Sequence, residues 1–451
     1  MWNANGGVYL GYATDRTEGE PVGRLADEIR YVGDRHIMVI GPNGSGKSRR
    51  VLLPSLAQLK DWSIVVVDPK GELAAMCAQY RDPAMRHSVF LNPFGTLGMP
   101  SHGHNPVAAL DPEHEDFPDD ALGLAEAMIR VEGREPHWAA SAQDLICALI
   151  MFSRLAHAGG GSLGNVRQML GRQYEAFREL VGRMIEVGYS SCEELAVKAG
   201  RYADIDAESR ELNSILSTAL TQTRWLDSRP VKADLGKNSG FDFSTLKERP
   251  TSVYLILPAR RLGTHSTWLR LMIASIIQPL MKDTRKAKVP VLLMLDEYPA
   301  IADGGFPVIE KNMAMFRGYG IKLMTVFQDL AQARRLYGEG WESFAANCGV
   351  LQAFAPQDLV TAKYLSERTG LAAMTVGGQG ESLSLVPGKG ATKSDSSSFS
   401  EQGLPLMLPQ ALRNMDDGFS VIFSHKIKGV LRSYFPYRLQ GLEEVYRRDV
   451  G

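Results

Sequence analysis

Cysteine is scarce in this chain: there are four in 451 residues, Cys77, Cys147, Cys192 and Cys348, and no two of them approach a Cys-x-x-Cys spacing. That scarcity excludes a disulfide framework, and with no charged leader and apolar signal core at the start the expected setting is reduced and cytoplasmic. A basic excess is also missing, because 50 Lys and Arg face 51 Asp and Glu for a formal net charge of −1. A nucleic-acid binder that announces itself through its net charge is thereby excluded, and any such contact has to come from a local patch. Long hydrophobic runs are lacking too. The stretch nearest to a spanning length, Leu269–Met281, is interrupted by Arg270 and Gln278. It falls short of the ~20 residues a bilayer requires, so no transmembrane helix is expected. No internal repeat is found. His102, His104 and His114 match no common zinc spacing and lie in a Pro- and Asp-rich stretch, so they read as surface histidines. No Ser/His/Asp or Cys/His hydrolase signature stands out.

What is present is a complete phosphate-binding loop of the form GxxxxGK[ST], Gly41, Pro42, Asn43, Gly44, Ser45, Gly46, Lys47 and Ser48, directly after the apolar run His36–Ile40. Each position has a mechanical reason. Glycines let backbone N–H groups curl around phosphate oxygens, Lys47 reaches the β and γ phosphates, and Ser48 can hold Mg²⁺. The alternative is a glycine-rich turn without a ligand. The context favours the loop: a strand precedes it, and Lys47–Leu59 continues through Arg49 with helical spacing, aiming a helix N-terminus at the phosphates.

The first third alternates strand and helix: Ile37–Ile40, the helix after Lys47, Ile64–Asp68, a helix over Glu72–Tyr80, and Val89–Asn92. Such apolar runs joined by helices imply parallel strands buried on both faces, the start of a doubly wound sheet. From about Asp111 the texture becomes helical, at Ala121–Arg130, Trp138–Leu155, Val166–Glu186 and Ser209–Trp225. Strands return at Ser252–Leu257, Val291–Asp296, Ile321–Phe327 and Gly349–Phe354. The expected fold is therefore α/β, with one body over 1–110 and 237–451 split by an all-α insertion over 111–236. Breakers at Asn105-Pro106, Asp111-Pro112 and Gly236–Gly240 mark its edges. Charge divides along the same lines, since 111–236 holds 21 acidic against 13 basic residues, a net −8 there and +7 elsewhere. Residues 377–402, rich in Gly and Ser, are expected as a mobile loop.

The strand Val291–Asp296 ends in Asp296-Glu297, which suits a nucleotide-hydrolysing site. Asp296 would take Mg²⁺ with Ser48, and Glu297 would polarise the attacking water; an exposed strand cap is the bland alternative. The strand Ile321–Phe327 leads to Gln328, placed to sense the γ-phosphate, and is preceded by Arg317, either a surface charge or an arginine finger for a neighbouring subunit.

Several of these segments together resemble one family, the type IV secretion coupling ATPases, or conjugative DNA transfer proteins of the VirD4/TraG type. The matching pieces are Arg35–Ser48, Val67–Glu72, Asn92–Phe94 and His137–Gln143, followed by Leu295–Tyr298, Arg317–Ile321 with Gln328, and Leu406–Pro409. The resemblance implies a RecA-like motor related to FtsK and HerA translocases, forming a homo-hexameric ring with ATP between subunits and DNA in a central channel. Lys47, Ser48, Asp296, Glu297 and Gln328 then line one face of the nucleotide, Arg317 acts in trans, and Arg35 matches a second arginine close to the nucleotide. The all-α part implies contact with relaxase-bound DNA or secreted proteins, and its acidic balance points to protein. DNA contact is expected instead from a channel loop such as Pro258–Leu262, with an ordinary exposed turn as the alternative.

The chain departs from the resemblance in lacking the membrane-spanning helices with which most members begin. That implies either a cytoplasmic member docked on a membrane or secretion-ATPase partner, or a shortened chain that is monomeric in isolation. Two other functions stay open: a translocase outside secretion, and a nucleotide-gated docking platform.

Overall fold

Seven of the apolar runs form the parallel centre of one eleven-stranded sheet in a computed structural model. The structure describes residues 6–13, 28–131, 136–206, 209–238, 240–386, 390–416, 418–424 and 428–432. The central strands are β3 (His36–Ile40), β4 (Ser63–Val67), β5 (Ser88–Leu91), β6 (Ser252–Leu255), β7 (Val291–Leu295), β8 (Ile321–Phe327) and β9 (Cys348–Phe354). Their order, β9-β3-β8-β7-β4-β6-β5, is parallel throughout. Four strands absent from the sequence reading extend one edge antiparallel: β12 (Phe419–Ser424) on β9, then β13 (Lys428–Arg432), β1 (Val8–Ala13) and β2 (Glu28–Tyr31).

The strands are apolar on both faces because both are covered. Ile37 and Val39 of β3, with Ile64 and Val66 of β4, face a cluster built on α1 (Leu53–Gln58) and α2 (Glu72–Arg81). Met38 and Ile40, with Val65 and Val67, face the opposite side. There the core runs without a break into the inserted helices. Strict alternation along a strand puts successive side chains on opposite faces, and here each face meets a different helical layer.

Between 111 and 236 the described residues form helices and no strand. They are α3 (Phe117–Met128), α4 (Pro136–Ala156), α5 (Leu163–Leu170), α6 (Tyr174–Ser191), α7 (Glu193–Gly200), α8 (Arg210–Gln222) and α9 (Arg229–Asp234). The expected single helix over Val166–Glu186 is two, broken at Gly171–Gln173 where the chain reverses. Ser209 caps α8 by accepting from the Leu212 amide. Among the described residues α4 is the one helix long and apolar enough to cross a membrane; 67% of its most apolar window is buried inside the fold, where it serves as core. A 24-residue helix, α10 (Ala259–Lys282), leads from β6 across the insertion.

Residues 377–402 are not the loop expected from their composition. Their backbone belongs to β10 (Leu371–Val386) and β11 (Gly390–Pro405), paired in register from Leu371↔Pro405 to Val386↔Gly390, while 387–389 lie outside the described residues. A Gly- and Ser-rich composition confines the apolar alternation by which strands are recognised to Ser382–Leu385, yet leaves backbone pairing intact. His104 is also not at the surface: it is buried against Phe243, and burial alone pushes its imidazole down to about 4.

Candidate nucleotide site

The loop Gly41–Ser48 leaves β3 at the carboxyl edge of the sheet, between the ends of β8 and β9. Its first amide, Gly41 N–H, donates to the Phe327 carbonyl at 3.0 Å, so the loop is hung on the strand that ends beside Gln328. Gly44 and Gly46 have φ of +81° and +84°, backbone that side chains rarely adopt, and this turns successive amides the same way. Asn43 and Gly44 are exposed at the crest, Ser48 is half-buried and Arg49 is exposed on the following turn. That turn is wider than an α-helix, with the Leu53 amide reaching back to Ser48, and it runs straight into α1.

Lys47 is buried and folds its ammonium over the loop, donating to the carbonyls of Gly41 and Pro42. Burial lowers its pKa, while Asp296 and Glu297 pull it back up. Those two acids follow β7, two strands away from β3. Asp296 is raised to about 6, first by burial, then by Glu297, with Lys47 opposing. Glu297 donates its amide to Asp296 Oδ1 at 3.2 Å. It holds φ +57° and ψ +38°, a left-handed conformation worth about 1–2 kcal/mol of strain in a residue with a Cβ. The carboxylate therefore leaves the strand direction and lines a cavity of about 550 Å³. Gln328 is half-buried at the end of β8, and its backbone N–H donates to Gln332 Oε1 at 2.9 Å.

One acid at this edge was missed as a site residue. Asp68 directly follows β4, whose Val67 pairs with Leu295, so Asp68 and Asp296 stand side by side. Burial raises Asp68 to about 6, against hydrogen bonds from the amides of Ala74, Gly71 and Lys70. The signal was legible: an apolar strand ending in Asp, the same pattern that selected Asp296. Crowded carboxylates facing one lysine are an arrangement that a divalent cation relieves. Among the described residues no three acidic, thiol or imidazole groups form a ready metal cage. Mg²⁺ does not require one, since it is commonly held by one or two protein oxygens together with substrate phosphates and water. Ser48 and Asp296 fit that pattern.

Arg317 and Arg35 are not brought to this edge. Arg317 precedes β8 and pairs with Asp34, which precedes β3. A seven-residue strand separates Arg317 from Gln328, about 23 Å at the rise of a strand. Arg35 is likewise one strand length from Gly41. Neither reaches a nucleotide held by its own chain's loop. Pro258–Leu262 is not a loop either: Pro258 is the N-cap and Ala259–Leu262 the first turn of α10.

A phosphate loop on a central parallel strand, facing acids on the next strand but one, defines a P-loop nucleotide-binding fold of the RecA-like type. The chain belongs to the family described as "Type IV secretory system Conjugative DNA transfer", whose model matches residues 7–432. It is 26% identical over 401 residues to the conjugal transfer protein TraG of Rhizobium radiobacter, covering 87% of this chain and 60% of that protein. It is also 26% identical over 429 residues to the protein VirD4 of Agrobacterium fabrum, covering 92% and 61%. The chain thus spans about three fifths of the length of these relatives. Among solved structures, the bacterial conjugative coupling protein TrwBdeltaN70 superposes with a TM-score of 0.66 at 16% identity, covering 89% of this chain and 85% of that one. TrwB in complex with ADP and Mg²⁺ gives 0.64 at 15% identity, over 89% and 85%.

Proposed function

We propose that this chain is an ATP-driven coupling protein that passes relaxase-bound DNA or protein substrates to a type IV secretion channel. The observation that carries the reading is the meeting of Lys47, Asp296 and Glu297 at one edge of the sheet. Amides of Gly41–Ser48 would cradle the phosphates, and Lys47 would exchange its loop carbonyls for phosphate oxygens. Mg²⁺, held by Ser48 and Asp296, would neutralise charge on the transferred phosphoryl group. Glu297 orients and polarises the attacking water, and Gln328, hung beside the loop, senses the γ-phosphate.

Arg317 completes the site from a neighbouring subunit, because its own chain holds it at the far edge; Arg35 shares that edge. This favours a closed ring, with six subunits as the family's form, working at the cytoplasmic face of the membrane beside secretion partners. The insertion over 111–236 would meet the cargo. The nucleotide complexes of TrwB support ATP and Mg²⁺ as the ligands. In cells, Lys47→Ala is expected to abolish both ATP turnover and transfer or secretion. Turnover lost with transfer intact would leave a docking platform in place of a motor.

A further inference from the structure

A cavity of about 810 Å³ lies at the root of the insertion and shares no residue with the nucleotide site. Its walls are the two crossings of the chain, from 104–111 on entry and from 238–243 on exit, with the turn holding Gly159 and Gly160, Leu124 of α3 and the last turns of α10. These walls are tied to one another. Asn105 donates Nδ2 to the Gly161 carbonyl at 2.8 Å and accepts the Val107 and Ala108 amides on Oδ1, and Asn238 donates to the Gly159 carbonyl at 3.4 Å. The fold therefore fixes the space before anything fills it, which spares a ligand the entropy of ordering its own site. A volume of this size suits a small organic molecule.

Most charges on the lining are already engaged. Asp120 is paired with Lys282, Asp242 takes the amide and the hydroxyl of Ser244, and Asp111 takes the Glu113 amide. Arg154 is the exception. Its Nε donates to the Leu110 carbonyl at 2.7 Å, which fixes the plane of the guanidinium, while neither Nη1 nor Nη2 has a partner among the described residues. N–H groups held in one plane match the two oxygens of a carboxylate.

His104 supplies a second unspent group. Its ring stands edge-on to Phe243 with centroids 4.8 Å apart, Phe241 meets Phe243 at 5.3 Å, and Nε2 is buried without a partner. Burial keeps this imidazole neutral, so it adds no second positive charge. One free cation, one neutral polar group and two aromatic rings define a ligand with a single negative charge and a flat apolar body; a dianion would leave a charge unanswered.

We propose that this cavity binds a small aromatic monocarboxylic acid, its carboxylate held by Arg154 and its ring against Phe241 and Phe243. Seated there, the acid joins both crossings of the chain to the end of α10, the helix whose Arg270 reaches the segment after Asp296 and Glu297. Binding stiffens the junction between insertion and motor, and it is independent of whether the nucleotide site hydrolyses ATP.

The test is titration calorimetry of 2-naphthoate on the full chain, with 2-naphthylmethylamine as its cationic counterpart. Saturable one-to-one binding of naphthoate is expected. Arg154→Leu should weaken it about tenfold or more, and Ala109→Trp, which brings an indole into the cavity from an exposed position, should abolish it. Arg154→Lys keeps the charge without the fork and is expected to fall between, while Arg178→Ala on α6 is expected to bind as the parent does. Circular dichroism verifies each fold, and Arg154→Lys with Ala109→Trp carries the test where Arg154→Leu fails to fold. Absence of saturation in the millimolar range overturns the proposal, as does binding undiminished in Ala109→Trp and the Arg154 variants, or a preference for the amine.

Discussion

Arg317 Nε and Asp34 Oδ2 lie 3.0 Å apart at the amino edge of the sheet, a full strand from the phosphate loop at its carboxyl edge. Both side chains are more than half exposed, at 57% and 65%, so the pair contributes at most about 1 kcal/mol and releases its arginine at little cost. A residue held in this way is available to a neighbour and out of reach of its own site.

Mixed assemblies check that geometry. Arg317→Ala and Glu297→Gln subunits, each inactive alone, are expected to recover part of the ATP turnover when combined, because some interfaces then hold both intact groups. Phosphate release from mixed rings of verified stoichiometry measures this. Absence of recovery in such rings contradicts a role in trans.

The acid pair gives a pH prediction with a definite sign. Asp296 is raised from 3.8 to about 6, so the folded chain binds more protons than the unfolded one between those values. Stability of the ligand-free protein is expected to fall as pH rises through that window and to stay lowered above it. Asp296→Asn should melt higher than the parent at pH 8, with the difference gone near pH 4. Mg²⁺-dependent nucleotide binding should run the opposite way, weakening as pH falls below about 6. Thermal melts and titration calorimetry read the two arms.

Relief of the backbone at Glu297 trades activity for stability. Asn tolerates the left-handed region better than Glu, so Glu297→Asn is expected to raise stability by about 0.5–1 kcal/mol while turnover falls on the order of a hundredfold or more. Denaturant melts and phosphate release are the paired measurements.

Arg270 gives a stability prediction. Fully buried in α10, it donates to the carbonyls of Ala127, Asp303 and Gly305 and lies over the Phe306 ring. It ties α3 of the insertion to the segment after the acid pair. Arg270→Met is expected to cost about 3 kcal/mol, because the buried Ala127 carbonyl loses its donor outright and the part-buried carbonyls of Asp303 and Gly305 lose theirs at the margin. Equilibrium unfolding in urea checks it.

The central strands were legible in the sequence because burial on both faces writes a continuous apolar run, as in Ile64–Val67. The edge strands were not: Glu28–Tyr31 is mixed in polarity, and Val8–Ala13 is interrupted by Gly11. The hairpin at 371–405 alternates apolar and polar residues only briefly, at Ser382-Leu383-Ser384-Leu385, too short a run to betray its pairing. At the site, Gly41–Ser48 and Asp296-Glu297 were readable because one loop or one strand end carries each function. The neighbourhood of Asp68 and Asp296 depends on strand order, which neither segment encodes locally.

The interior of α4 continues without a seam into the sheet face bearing Met38, Ile40, Val65 and Val67. The insertion is therefore not a detachable cartridge. A graft that exchanged 111–236 between relatives would have to bring a matching α10 and matching strand residues with it, and cutting at those boundaries alone would leave two raw apolar surfaces. Only the outer helical faces of the insertion are free of this packing, while the inner ones are fixed to the sheet.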